Sequence, residues 1–290
     1  MAKAQQIVER VLVIHSELLK LGQNLHPGPT INELLGSLVV LCSQIHDQDI
    51  TRQVLDDANV QAVLPSLRRI CAASESCLES HWAHRILEAS VPEECQKLLE
   101  SFPYYGNYEE LAKLELNAIL SASDSAPKKI AFIGSGPLPL TSLCLLSAIV
   151  LQSRPSTADE GPSVLNIDID PNAIDVSTRL NHALGSRGRG MHFSCAEAGS
   201  ADQDLSEFDV VYVAALVGMS QADKEDIFIK VASSMRKGSL LVVRSSWGLR
   251  TLLYPEVDIS TDRLLQCLEP CLIVHPYNQV VNSVVVAKVK

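Results

Sequence analysis

The chain is 290 residues long, 47% apolar and 20% charged, which is enough for one large core or two smaller ones. Its formal net charge of −10 at pH 7 makes it a poor candidate for non-specific attachment to nucleic acid or to an anionic membrane, both of which need clustered Lys and Arg. Aromatic residues make up 4%, so aliphatic side chains must do most of the packing.

The start, Met1-Ala2-Lys3-Ala4-Gln5-Gln6, runs straight into an amphipathic pattern, so no signal peptide is expected. Ile7, Val11, Ile14, Leu18 and Leu21 share one helix face, which Gly22 can close. Thr30 and Glu33 are spaced as a capping box ahead of Leu34, Leu38, Leu41 and Ile45. Pro65 can open a long helix through Leu67, Ile70, Leu78, Trp82 and Ile86. Pro92 interrupts, and a short helix through Leu98 and Leu99 follows. Phe102-Pro103-Tyr104-Tyr105-Gly106-Asn107-Tyr108 reads as a turn-rich loop, with Asn107 and Glu110 as the N-cap pair of a helix through Leu111, Leu114 and Ile119.

The pattern changes at Lys128. Ile130-Ala131-Phe132-Ile133 ends in Gly134, as a buried parallel strand would, and a helix is expected over Leu138 to Leu151. After a polar loop from Ser153 to Pro162, Val164-Leu165-Asn166-Ile167 is a second strand and Asn172 to Leu184 a second helix. Met191 to Cys195, Val210 to Ala215 and Leu240 to Val243 are further strands, with a helix from Gln221 to Met235. Leu272-Ile273-Val274 and Val284-Val285-Val286 form a terminal strand pair that places one antiparallel strand at the sheet edge. Alternating strands and helices imply a doubly wound α/β sheet, Rossmann-like and of the class I methyltransferase type, behind an N-terminal all-α region.

The sharpest motif is Gly134-Ser135-Gly136-Pro137-Leu138-Pro139, between a strand and a helix. Glycines there allow a tight turn and close approach of backbone to ligand. Pro139 occupies the third-glycine position of a dinucleotide fingerprint, so a pyrophosphate ligand is disfavoured. S-adenosylmethionine, which has no phosphate, suits the same turn. Asp168 and Ile169 end the second strand, and one carboxylate at that tip can accept from both ribose hydroxyls. Asp170 is the second candidate for that role, or a cap for the following helix. Glu197 and Ala198 follow the third strand, where adenine is expected, and Ala214 and Leu216 follow the fourth.

Together with Leu78-Glu79-Ser80-His81 and the Tyr-rich loop, several runs resemble the nicotianamine synthase family. They are Gly134-Ser135-Gly136-Pro137-Leu138-Pro139-Leu140-Thr141-Ser142, Tyr212-Val213-Ala214-Ala215-Leu216-Val217-Gly218-Met219, Arg244-Ser245, Leu253-Tyr254-Pro255 and Val280-Val281-Asn282-Ser283. The resemblance implies transfer of the 3-amino-3-carboxypropyl arm of S-adenosylmethionine, not its methyl group, with release of methylthioadenosine. Repeated transfer and closure of an azetidine ring give nicotianamine, a metal chelator. It further implies Glu79 as the base that frees the attacking amine and Tyr105 as its hydrogen-bonding partner, with Tyr104 the alternative one position away. On this reading residues 1–122 form a helical lid and residues 123–290 the catalytic domain. Trp247 departs from the plant-type members of the family, which usually have a histidine there, and Gly106 and the Ser153–Pro162 loop are further departures.

No metal is expected to be required. His81 and His84 have metal-compatible spacing, yet nothing completes a ligand set. The eight cysteines form no CxxC pair and are expected as reduced thiols in a cytoplasmic protein, with Cys267 and Cys271 on a buried helix face. The expected partners are small molecules, with no nucleic acid and no membrane; a homodimer is left open. Single-round transfer to an amino-acid acceptor, ordinary methyl transfer, and binding without catalysis are the competing readings.

Overall fold

The computed structural model describes residues 2–152, 161–200, 203–218 and 220–290. Six helices come first: α1 (Ala2–Lys20), α2 (Pro29–Ser43), α3 (Gln48–Leu55), α4 (Ala58–Leu87), α5 (Pro92–Glu100) and α6 (Tyr105–Ala122). Several starts differ from the sequence expectations, each for a local reason. Pro29 occupies the first turn of α2 after Gly28, so the Thr30–Glu33 box is not its cap. Asp47 caps α3, an element not expected from the pattern, by accepting from the Ile50 N–H at 2.8 Å. Asp57 caps α4 by accepting from Asn59 and Val60, which leaves Pro65 inside the helix. There its ring forfeits one backbone hydrogen bond, and tertiary packing must offset that loss. α6 starts at Tyr105, so Asn107 lies within its first turn and does not cap it.

The second part alternates: β1 (Lys129–Ile133), α7 (Leu140–Gln152), β2 (Ser163–Asp168), α8 (Pro171–Ala183), β3 (Met191–Cys195), β4 (Val210–Val213), α9 (Gln221–Ser234), β5 (Leu240–Ser245), α10 (Asp262–Leu265), β6 (Leu268–Val274) and β7 (Ser283–Val289). The sheet order is β3-β2-β1-β4-β5-β7-β6. This is the class I methyltransferase-like arrangement, with the topological switch between β1 and β4. The antiparallel strand is β7, and it lies inside the sheet, not at the edge. Burial decides this. Nearly every residue of β7 is buried, whereas β6 turns most of its residues outward. Cys271 is accordingly an exposed strand residue, and Cys267 precedes the strand, so the pair does not share a helix face.

Alternate residues of each strand feed two cores. Ile130, Phe132, Tyr212, Val242 and Val286 pack with Ile86, Leu99, Leu116, Ile119 and Leu145 on one face. Ala131, Ile133, Val211, Val243 and Val285 pack with Phe228 and Leu264 on the other. A third core joins α1, α2 and the start of α4 to Leu249, Leu252 and Leu253 of the segment after β5. α4 spans about 45 Å at 1.5 Å per residue. Its first half belongs to the third core and its end to the sheet's. Helical and sheet regions are therefore joined by continuous apolar packing on both sides of residue 122. The Ser153–Pro162 loop falls largely outside the described residues, as does Met219.

Candidate active site

A cavity of about 850 Å³ opens over the carboxyl ends of β1, β2 and β4. All the proposed cofactor contacts line it: Gly134, Ser135, Gly136, Pro137, Leu138, Asp168, Ile169, Glu197, Ala198, Ala214 and Leu216. The turn after β1 has φ of 82° at Gly134 and 65° at Gly136, a region that a side chain would strain. Its backbone is braced on β2, where Gly134 N and Ser135 N donate to Ile167 O at 2.8 and 3.2 Å. Gly136 N donates to one oxygen of Asp168 at 2.8 Å, and Asp170 N donates to the other at 3.0 Å. A carboxylate has about four acceptor positions, so Asp168 keeps two for a diol. Asp170 is spent differently: it caps α8 by accepting from Asn172 N at 2.9 Å. Ser135 Oγ is buried without a hydrogen-bond partner among the described residues and lines the cavity, where a polar ligand could meet it.

The loop after β4 is fixed from below. Lys224 of α9 is fully buried, and its Nζ donates to Ala215 O at 2.8 Å and Val217 O at 2.9 Å. Burial pushes the Lys224 ammonium down to about 8.

A second cavity of about 690 Å³ adjoins the first. Leu25, Ile31, Leu35, Trp82 and Phe102 make its walls mainly apolar. Glu75, Glu79, Tyr108, Arg244, Tyr254 and Asn282 line both cavities and form the neck between them. The neck draws on α4, α6, β5 and the segments after β5 and before β7, which is why no single stretch of sequence announces it.

Glu79 stands at this neck. A Cβ placed on Gly136 would lie 2.8 Å from Glu79 Oε2, so the carboxylate touches the glycine turn directly. The tyrosine that meets it is Tyr108, whose OH donates to Glu79 Oε1 at 3.0 Å. This corrects the assignment of Tyr105 or Tyr104. Because α6 begins at Tyr105, Tyr104 and Tyr108 stand four apart, on a common face turned toward α4, and Tyr105 is rotated away. Tyr105 instead receives a hydrogen bond from Arg187, which also pairs with Glu100. Tyr104 packs edge-on against Phe102 and lines the second cavity.

Desolvation raises the Glu79 carboxyl well above the ordinary carboxylate range, and the Glu75 charge one helical turn away adds to it. The Tyr108 hydrogen bond and Arg244 oppose that rise. Glu75 is raised as well, again chiefly by desolvation, and Tyr254 OH donates to its Oε2 at 2.7 Å. Arg244 is held by fully buried Glu115 through Nε at 2.7 Å and by Thr141 Oγ1 at 2.8 Å. Asn282 Nδ2 is buried at the neck without a hydrogen-bond partner among the described residues.

Sequence reasoning missed Tyr108, Glu75, Arg244, Tyr254 and Asn282 as site residues. Each lay in or beside a run already singled out. The usable signals were the four-residue spacing of Glu75 and Glu79 and the third tyrosine of the loop. No group of three or more His, Cys, Asp or Glu among the described residues is placed to hold a metal ion. His84 Nδ1 lies 2.7 Å from Ser80 O on its own helix. No helix among the described residues is long and apolar enough to cross a membrane.

Comparison with known proteins bears on this geometry. A profile of the family described as "Nicotianamine synthase protein" matches residues 1–290. The chain is 34% identical over 282 residues to nicotianamine synthase of Solanum lycopersicum, covering 97% of this chain and 83% of that relative. It is 33% identical over 285 residues to nicotianamine synthase 1 of Arabidopsis thaliana, again covering 97% and 83%. Among solved structures, MtNAS in complex with MTA and tNA superposes with a TM-score of 0.77 at 23% identity, covering 97% of each chain. A mutant of MtNAS in complex with S-adenosylmethionine gives the same values.

Proposed function

The chain belongs to the nicotianamine synthase family, and from that premise we propose that it condenses three S-adenosylmethionine molecules into nicotianamine, releasing methylthioadenosine at each transfer. The observation that carries this reading is the contact of Glu79 with the Gly136 turn, where the methionine end of S-adenosylmethionine would lie. The acceptor's α-amine is an ammonium near neutral pH and has no lone pair to donate. Glu79 takes one proton, and the freed nitrogen forms a bond to the γ-carbon of the arm. The γ-carbon–sulfur bond breaks with its electron pair going to sulfur, so the sulfonium leaves as a neutral thioether. Proton transfer to an ordinary carboxylate would be steeply uphill from an α-ammonium of pKa about 8. The raised Glu79 carboxyl narrows that gap.

Tyr108 orients the carboxylate. Asp168 holds the ribose, the loops bearing Glu197, Ala198, Ala214 and Leu216 flank the adenine, and Ser135 Oγ meets the methionine end. The second cavity receives the acceptor and the growing chain, and its volume supports more than one round of transfer. Residues 1–122 act as the lid, since α4 and α6 carry Glu79 and Tyr108 into the crevice. A chelating product places the enzyme in metal homeostasis. Eight unpaired cysteines fit a reducing, cytoplasmic setting.

S-adenosylmethionine labelled in its methyl group separates the proposal from methyl transfer. The label should remain entirely in methylthioadenosine; label in an acceptor, with S-adenosylhomocysteine, overturns the proposal.

A further inference from the structure

The crevice contains a second carboxylate that the proposed mechanism does not use. Glu75 and Glu79 lie four residues apart on α4, so their side chains emerge from one helix face, with Cβ atoms about 5–6 Å apart. Both line both cavities. Each has its own tyrosine donor, Tyr108 for Glu79 and Tyr254 for Glu75, and the two tyrosines come from different elements, α6 and the segment after β5. A mere tether between α4 and the segment after β5 would be served by a neutral Gln or Asn. A carboxylate in a poorly solvated wall is costly to ionise.

The chemistry supplies a use. The nitrogen that closes the azetidine ring forms two new bonds to carbon. It begins as an ammonium and loses one proton before the first bond. That bond leaves it a secondary ammonium, which must lose another proton before it can attack again. If Glu79 took the first proton, it is a carboxylic acid at that moment and cannot take the second. Resting on the proposed function, we propose that Glu75, oriented by Tyr254, is a second proton acceptor at the neck and takes a proton in a later step that Glu79 cannot. The secondary ammonium passes its proton to the Glu75 carboxylate. The freed nitrogen then bonds to the γ-carbon as the γ-carbon–sulfur pair leaves with methylthioadenosine. Both carboxylic acids return their protons to water when the crevice opens.

The groups facing Glu75 suit this role. Glu79 and Cys71 flank it on α4, Tyr104 faces it from just before α6 and Tyr108 from α6, Arg244 from β5, and Tyr254 from the following segment. Arg244 favours ionisation of both carboxylates and the Glu75 charge opposes that of Glu79, so with both ionised Glu79 takes the first proton and Glu75 keeps its charge for the second.

The test follows products of Glu75→Gln, Glu79→Gln and Tyr254→Phe beside the wild-type protein, with S-adenosylmethionine binding measured for each. Glu75→Gln should bind S-adenosylmethionine and release methylthioadenosine, but accumulate the linear single-transfer product while nicotianamine formation falls about 100-fold, within the usual range for loss of a general base. Glu79→Gln should lose both products. Tyr254→Phe keeps the carboxylate and removes a bond that stabilises its charge, so its rising pH limb for nicotianamine should move to higher pH and recover there. Wild-type product ratios and rate in Glu75→Gln would overturn the proposal. So would loss of S-adenosylmethionine binding in both Glu75→Gln and Tyr254→Phe, which would make the pair a structural tether. Wild-type protein that releases no methylthioadenosine overturns the parent reading, and this one with it.

Discussion

At Glu79, charge, contact and position converge on one carboxylate. It touches the glycine turn, accepts from Tyr108 and shares its helix face with Glu75. A consequence for stability follows from its raised carboxyl. The folded chain holds this proton more tightly than the unfolded chain does. Wild-type stability therefore falls as pH rises from about 4.5, the ordinary value, toward the raised one. Glu79→Gln removes that loss. Its melting temperature should match wild type at pH 4 and exceed it at pH 8, even as turnover is lost. A melting temperature lowered equally at both pH values would show that Glu79 is not held as an unfavourable buried charge. Much of this residue-scale picture was legible: Asp168, Glu79 and the glycine turn stand in short, distinctive runs. The partner tyrosine was not, because which of Tyr104, Tyr105 and Tyr108 faces α4 depends on where α6 starts. A shift of one residue rotates a helix position by about 100°.

Among the elements, the turn between β1 and α7 is the most constrained. Both of its glycines have positive φ, yet a methyl group would meet different neighbours at each. At Gly134 it would lie 2.5 Å from Val217 Cγ2 and 3.1 Å from Ala214 Cβ, inside the fold. At Gly136 it would meet only the Glu79 carboxylate. Gly134→Ala should thus lower stability by about 1–3 kcal/mol, the usual cost of a strained residue, with cofactor binding reduced as well. Gly136→Ala should reduce turnover far more than it lowers the melting temperature. Denaturant curves and steady-state rates on the two variants read the difference. Parallel strands were plain in the sequence because strands buried on both faces are continuous apolar runs ending at glycine or polar turns. Helix starts in the first half were less so. Thr30, Pro65 and Asn107 are each acceptable as starting residues, yet the helices begin at Pro29, at Ala58 behind the Asp57 cap, and at Tyr105. β7 took the inner place beside β5 because its residues are buried on both faces, which a local apolar run does not distinguish from an edge strand.

In the whole molecule, a long helix carries Glu75 and Glu79 from the helical region over the switch point of the sheet. That helix and the segments around it are tied by hydrogen bonds between residues far apart in sequence. Arg68 donates to Thr251 O, Arg250 to Val280 O and Asn278 O, and Arg187 bridges the turn after α8 to Glu100 and Tyr105. These ties make the neck a product of tertiary structure, so the second cavity could not be read from the chain. The central claim is that this neck couples one S-adenosylmethionine to another. Incubating the purified protein with S-adenosylmethionine alone, and identifying products by mass spectrometry, tests it most directly. The account predicts methylthioadenosine and nicotianamine with no added acceptor. Methylthioadenosine and a linear product only when an amino acid is supplied, or S-adenosylhomocysteine with any acceptor, would contradict it.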